Sequence, residues 1–494
     1  MKTLRLIFFL TLFFSFNQGA FSQRTQKISG QIETWVEDDF NKQTSQTRFF
    51  LTPLEENEIS SKNRIELKLN KKSFDLRQGQ KAHIICSKLE NQRCLVESWS
   101  SDDMAKKAES PLIGEMNILW VLIHVSDVQN DLNYEEAKAK IDMTNSWFQN
   151  ASENKLSVKT DVDGDGNYDL FEVTVEDYSK ETDGCSAFTL GAKALALLEA
   201  GGVDLSLYKY RFFLIPKIGC SFGGIAHQGC TNTCQAYSHG GNWNLVYPHE
   251  LGHNLGRMHA STDPDNDGAA NKEYGDGTCP MGNKLSQGYF NPPHSMRMGW
   301  YKEEDGSVQN ISEKVGTYTV SSMSDSKNTT PRIFTIDGSR VYYLSYRPGS
   351  DFDKVEDDYK EGALLHSIKK NGTYSNSMFV KNIKPGDFFR TSTFFIQTES
   401  VSEDSAEVYV NLCKTKASIT TSSNYYEANP SQSFQVDFKI KYPESEDCPP
   451  LTYNLRAMTD GLEGNLSHER VTLNPKETKT VSLTVELPQD EKKY

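Results

Sequence analysis

The sequence predicts a multidomain chain. Its centre is an α+β domain, a mixed twisted sheet with a histidine-bearing helix. An N-terminal β-domain flanks it on one side. On the other lie C-terminal β-domains, including an Ig-like sandwich. Three observations predict this. The chain has 494 residues, too many for one hydrophobic core, and domains of about 80–200 residues each give three or four. Period-two alternation dominates both ends, whereas helical spacing is confined to the middle. A continuous apolar run, "MNILWVLIHVSD", opens that middle as a buried central strand would. The expected divisions are 1–22, 23–112, 113–301, 302–414 and 415–494.

The first division reads as an export signal. Lys2 and Arg5 flank the greasy run "LIFFLTLFFSF", and Ala20 and Ser22 fit the small-residue rule for cleavage before Gln23. The run is too short to span a bilayer, which takes about 20 residues. No later stretch is apolar enough either, so the mature protein is expected outside the cytosol, secreted or periplasmic. Nine cysteines should then mostly pair. Cys86–Cys94 and Cys413–Cys448 are the expected local bridges. The other five, Cys185, Cys220, Cys230, Cys234 and Cys279, leave at least one unpaired or bonded elsewhere.

From about 26 to 100, "KISGQIETWVED", "TRFFLTPL", "RIELKLN" and "KAHIICSKL" alternate as strands do. The polar stretch "SSDDMAKKAESPLIGE" follows as a linker, and its Lys106-Lys107 is a candidate processing site. In the central region "NYEEAKAKIDMTNSWFQNAS" carries helical spacing through Ala137, Ile141, Met143, Trp147 and Phe148. "KLSVKTDV" and "LFEVTVED" read as strands. "AFTLGAKALALLEAG" is a second helix stopped by Gly201-Gly202, and "YKYRFFLIPKI" is another buried strand. Beyond Trp300 "GTYTVSSM", "RVYYLSYR" and "TFFIQTES" are strands. "SFQVDFKIKYP", "LTYNLRAM" and "TKTVSLTVELP" form the Ig-like end. No repeat or low-complexity tract is present.

The net charge of −14 argues against nucleic acid or an anionic membrane surface as partner, since both need a cationic face. It is compatible with binding cations. The stretch "YPHELGHNLGRMHAS" says which. On a helix His249 and His253 lie four residues apart and stack on one face. Two imidazoles so placed can hold one zinc ion. Glu250 projects to an adjacent sector, where it can act on water without ligating. Gly256 can take the left-handed conformation that stops a helix, letting His259 return as third ligand. Three protein ligands leave a fourth position open, the mark of a catalytic zinc site. Zinc acidifies water and polarises a carbonyl, and Glu250 moves the proton to the leaving amine. Pro248 requires the helix to start nearby, with Asn244 as candidate N-cap. Met281 follows His259 by 22 positions, as the apolar floor of a methionine turn.

With these motifs the chain resembles the gametolysin family of metzincin metallopeptidases. The resemblance rests on "YPHELGHNLGRMHAS", "EYGDGTCPMGN" and "GYFNPPHSMRMGW", and in outline on "NSWFQNASENKLSV", "VDLSLYKYRFFLIPKIGCSFGGIA" and "VYYLSYRPGSDFD". It covers about 115 to 365 and the flanks loosely. It implies a metzincin catalytic domain and a secreted zinc endopeptidase acting on a protein or glycoprotein substrate. Its zinc ligands would be His249, His253 and His259, and its general base Glu250. Some relatives carry glutamine at the first ligand position; His249 favours zinc. Many metzincins have a tyrosine two residues after the turn methionine. Asn283 stands there, so no transition-state tyrosine is assigned. His294 closes the family-like segment, near the cleft or in the frame.

"DVDGDGNYDLFE" places Asp161, Asp163, Asp165, Gly166, Asp169 and Glu172 at the positions of a calcium loop, in a strand setting. The five carboxylates are candidate calcium ligands; an acidic hairpin turn is the alternative. "STDPDNDGAANKEY", with Asp263, Asp265 and Asp267, is a weaker candidate because Tyr274 takes the twelfth place. Latency has one sequence candidate, a thiolate of Cys94 on the zinc, set against a plain Cys86–Cys94 bridge. The other function considered is a secreted adhesin or glycan-binding protein with a vestigial protease core. Degenerate cores usually lose the glutamate or a ligand, and none is lost here. The sequence leaves the oligomeric state open.

Overall fold

The computed structural model describes residues 25–53, 64–69, 76–101, 112–240, 246–282, 288–324, 331–370, 376–413, 416–421, 432–444, 448–457 and 463–487. The expected export signal, Lys106-Lys107, the Asn244 cap and Asn283 lie outside the described residues. No helix among those described is long and apolar enough to cross a membrane. The chain forms two compact units. One is Met1–Thr34 with Arg48–Lys106, the other Trp35–Thr47 with Lys107–Tyr494.

The described residues of the first unit are all β. Strands β1 (Gln26–Asp39), β2 (Thr44–Pro53), β3 (Ile65–Leu69), β4 (Lys81–Glu90) and β5 (Arg93–Ser101) pair in the order β2-β3-β5-β4-β1, and β2 also pairs β1. The alternation read in the sequence becomes a core of Ile32, Leu51, Leu67, Ile84 and Val96. The expected Cys86–Cys94 bridge is present within it. Cys94 therefore offers no thiolate, and the cysteine route to latency is corrected. The end of β1 and the start of β2 group with the second unit instead.

In the second unit β6 (Gly114–Val125) is the buried central strand expected, with Ile118–Ile123 fully buried. Its neighbours β7 (Leu156–Lys159), β8 (Leu170–Val175) and β9 (Tyr210–Ile215) all run parallel to it. Beyond β9 lie β11 (Cys234–His239), parallel, and then β10 (Gly224–His227), antiparallel. Trp35–Asp38 of β1 pairs along β10. Helix α1 (Tyr134–Ala151) starts with an Asn133–Glu136 capping box. Its buried stripe is Ala137, Ile141, Thr144, Trp147 and Phe148, and Met143, expected in the stripe, is exposed. One hundred degrees per residue puts position 144, not 143, in line with 137, 141 and 148. A short turn α2 (Lys180–Asp183) precedes α3 (Ala187–Ala200), which ends at Gly201-Gly202.

The helix expected at the histidines is α4 (Val246–Asn254), buried along its whole length. Pro248 sits in its first turn, where its missing N–H costs nothing. Next come β12 (Ala260–Thr262) and α5 (Pro292–Arg297). The following β-rich region holds β13 (Val308–Asn310), β14 (Val315–Ser321), β15 (Ile333–Asp337), β16 (Arg340–Tyr346), β17 (Ala363–Lys369) and β18 (Ser377–Ile383). Its six-stranded sheet has the order β12-β18-β17-β16-β15-β13. The strand that leaves the third histidine is thus an edge of the sheet that follows. Val308, Ile333, Tyr343 and Ile368 also share one core with Trp120, Tyr247 and Met281. The last strands make a four-stranded and a two-stranded antiparallel sheet, beside the expected Cys413–Cys448 bridge. Cys185–Cys220 and Cys230–Cys234 are the other bridges, and buried Cys279 is free.

Candidate metal centre

Helix α4 carries His249 and His253 on one face, with ring centroids 4.9 Å apart. Gly256, at φ +78°, ends it. The Gly256 N–H donates to His253 O and the Arg257 N–H to Gly252 O, which closes the helix and turns the chain back. His259 then lies 5.5 Å from His249 and 4.9 Å from His253, centroid to centroid. All three rings and Glu250 are buried.

The outer face of each ring is fixed. His249 Nδ1 meets Pro280 O at 2.7 Å, His253 Nδ1 meets Arg257 O at 2.8 Å, and His259 Nδ1 meets Glu273 Oε1 at 2.8 Å. These partners only accept, so each Nδ1 carries the proton and each Nε2 turns a lone pair inward. Met281 is fully buried beneath the helix, its sulfur against Gly252, where a Cβ would collide with it. Its carbonyl accepts from Ala260 N–H at 2.8 Å. Glu250 lies against Gly224 of β10, where any side chain would overlap its carboxylate.

A fourth group, unforeseen in the sequence, completes the centre. Asp38 is fully buried, and its carboxylate faces all three Nε2 atoms: His259 at 2.9 Å, His253 at 3.2 Å and His249 at 3.5 Å. The Tyr274 hydroxyl donates to the same carboxylate. Burial pushes the Asp38 carboxyl up, and only positive charge facing it, on protonated imidazoles or on a cation held among them, brings it well below the usual carboxylate range. Burial, reinforced by the Asp38 charge, pushes Glu250 well above its usual range.

The residues fit a divalent metal. The ligand atoms of Asp38, His249, His253 and His259 lie within 4.8 Å of one another. Both Glu250 oxygens are buried without a hydrogen-bond partner, and the inward nitrogens of the three histidines converge on the Asp38 carboxylate. Buried polar atoms are rarely left unpartnered. Converging lone pairs of neutral imidazoles with one carboxylate are the donor set of zinc.

The acidic loop is brought together only in part. Asp161, Asp163 and Asp165 cluster. Asp169 is buried and accepts from the Tyr208 hydroxyl and Val162 N–H, and Glu172 lies in β8, bonded to His124 at 2.8 Å. In the weaker loop Arg340 pairs with Asp263 at 2.7 Å and supplies the positive charge itself. His294 is buried, with Nδ1 3.5 Å from Cys279 Sγ. It belongs to the frame behind the methionine turn.

Sequence reading found the three histidines, Glu250, Gly256 and Met281, and the structure brings them together. It missed Asp38, Glu273, Tyr274 and Gly224. The one available signal for Asp38 was "TWVEDDF", where successive carboxylates interrupt a strand pattern. The family model described as gametolysin peptidase M11 matches residues 125–378. Among curated proteins none matches the chain.

Proposed function

The chain belongs to the gametolysin peptidase M11 family, a family of peptidases whose substrates are proteins, and we propose that it is a secreted zinc endopeptidase of metzincin type. The observation that carries the reading is the set of three inward Nε2 atoms beside the unpartnered carboxylate of Glu250. His249, His253 and His259 would hold the zinc. When bound, zinc supplies Lewis-acid polarisation of a carbonyl and acidifies water. Glu250, buried next to the ligands, takes the proton from the attacking water and delivers it to the leaving amine. Met281 and Gly252 pack the floor and fix the pitch of the ligand helix. Four disulfides support an oxidising compartment, in line with the export signal. We read the C-terminal pair of sheets as an Ig-like sandwich. Asp161, Asp163 and Asp165 are the acidic side chains we assign to a calcium ion.

The test is Glu250→Ala in the protein freed of its N-terminal β-domain. Hydrolysis of a casein-type substrate should fall by at least about 10²–10⁴-fold, the usual worth of a positioned general base. Zinc content should stay at one per chain. Undiminished cleavage would remove Glu250 from the mechanism. Zinc with no cleavage in the protein freed of its N-terminal β-domain, Glu250 intact, would favour the adhesin reading, in which the C-terminal sheets do the work.

A further inference from the structure

Asp38 fills the space onto which the three imidazole nitrogens converge. It lies on the tip of the β1–β2 hairpin, Trp35–Thr47, which packs within the second unit. The turn is pinned by Asp39, whose Oδ1 accepts from the N–H groups of Asn41 and Lys42 at 3.1 and 3.0 Å. Trp35–Asp38 adds antiparallel to β10 in the register Trp35↔His227, Val36↔Ala226, Glu37↔Ile225 and Asp38↔Gly224. Among the described residues β10 has no other strand on that side, so without this segment it is a free edge. A free edge next to a hydrolytic centre is what an extended peptide pairs with. Side chains anchor the segment on both sides of the aspartate. Trp35 is buried, its ring 3.6 Å from that of His227 and 4.5 Å from that of Phe188. Phe40 meets His249 edge-on at 5.0 Å.

The register matters for the chemistry. Asp38 stands opposite Gly224, the residue whose missing side chain makes room for Glu250. Gly223 N–H donates to Asp38 O at 2.8 Å. The aspartate is therefore held at the level of the strand where base and metal ligands meet. Its carboxylate fills the space among the three Nε2 atoms. A buried carboxylate is stable only with a positive partner, and a metal bound there would supply one.

Resting on the zinc-peptidase reading, we infer that Asp38 is an internal fourth ligand of the metal and that Trp35–Phe40 occupies the substrate's edge strand, so that the protein folds as a latent precursor. Activation requires withdrawal of this hairpin tip. Both its ends continue into the first unit, so withdrawal follows hydrolysis of a peptide bond on the C-terminal side of Thr47. One water is consumed, and a new carboxylate and a new amine form. The inhibitory group is a carboxylate of the chain itself and needs no thiol.

The experiment uses the full mature chain, unsubstituted and as Asp38→Ala and Asp38→Asn. Zinc content and affinity for a fluorescent hydroxamate are measured on each. All three should hold one zinc. Both variants should bind hydroxamate about 100-fold tighter than the unsubstituted chain, because its competent fraction is small. Equal affinities would overturn the inference, and so would loss of zinc from both variants, since Asp38 would then be a permanent ligand. Absence of zinc from every form, the unsubstituted chain included, would instead bring down the zinc-peptidase reading. If the variants fail to fold, the cobalt-loaded unsubstituted chain decides. Its visible absorption should ignore hydroxamate until proteolysis releases the Asp38 segment. A spectrum that shifts at once would overturn the proposal.

Discussion

Tyr274 precedes Met281 by seven positions, and its ring lies 4.3 Å from that of His259. Its hydroxyl donates to the Asp38 carboxylate, the group nearest the inward nitrogens. A carbonyl oxygen that gains charge during hydrolysis at this place would meet the same donor. Tyr274→Phe, in enzyme freed of Asp38, is therefore expected to lower kcat by about 10²-fold with KM little changed. Steady-state kinetics at constant zinc content checks this, and an unchanged kcat would withdraw the role. Two positions after Met281 stands Asn283, which has no phenol to offer. The tyrosine lies upstream because the loop after His259 passes the ligands before it reaches the methionine turn.

Among the elements, the methionine turn is held by partners far along the chain. Arg347, at the end of β16, is fully buried, and its guanidinium donates to Thr278 O and to both oxygens of Asp353. Asp353 also accepts from Tyr289 N–H at 2.9 Å and Ser324 Oγ at 2.6 Å. On the other side Asp276 accepts from Asn291 Nδ2 at 2.9 Å and faces His366 Nε2 at 3.2 Å. These contacts hold the loop that presents Pro280 O to His249. Asp353→Asn would leave a buried guanidinium without its counter-charge, at a cost of about 3–5 kcal/mol. Chemical denaturation at neutral pH measures it. The pH dependence has a definite sign. Burial raises the Asp353 carboxyl, but Arg347 outweighs this and lowers it below its usual value. The unfolded carboxyl titrates near about 3.9, so the contribution is complete above that pH and fades as pH falls through the lower folded value. The unsubstituted protein should therefore lose stability over that acid range, and Asp353→Asn should lose less there. Parallel acid limbs would refute this.

For the whole molecule, the site reaches past the division expected at residue 301. Ser377 N–H donates to His259 O at 3.1 Å, and β12 runs parallel with β18 from Ala260↔Ser377 to Thr262↔Phe379. The third histidine is thus seated by a strand more than a hundred positions downstream. A chain ending at Tyr301 would lose this pairing, the Arg347–Asp353 clamp and part of the core around Met281. It is expected to show no cooperative thermal transition, and calorimetry checks this. A truncated chain that melts cooperatively and binds zinc would show that the β-rich region is dispensable.

The sequence by itself determined what lies within a few residues of chain. His249 and His253 share a face because of the helical repeat, Gly256 stops the helix because only glycine takes its conformation at no steric cost, and His259 follows at a fixed reach. The buried run of β6 and the Cys86–Cys94 bridge were legible for the same reason: each is local. Tertiary structure alone decided that a carboxylate 215 positions before His253 enters the site, that Glu273 orients His259 and that β12 joins the sheet beyond it. Pairing between strands depends on which edges fold together, and no spacing along the chain encodes that choice.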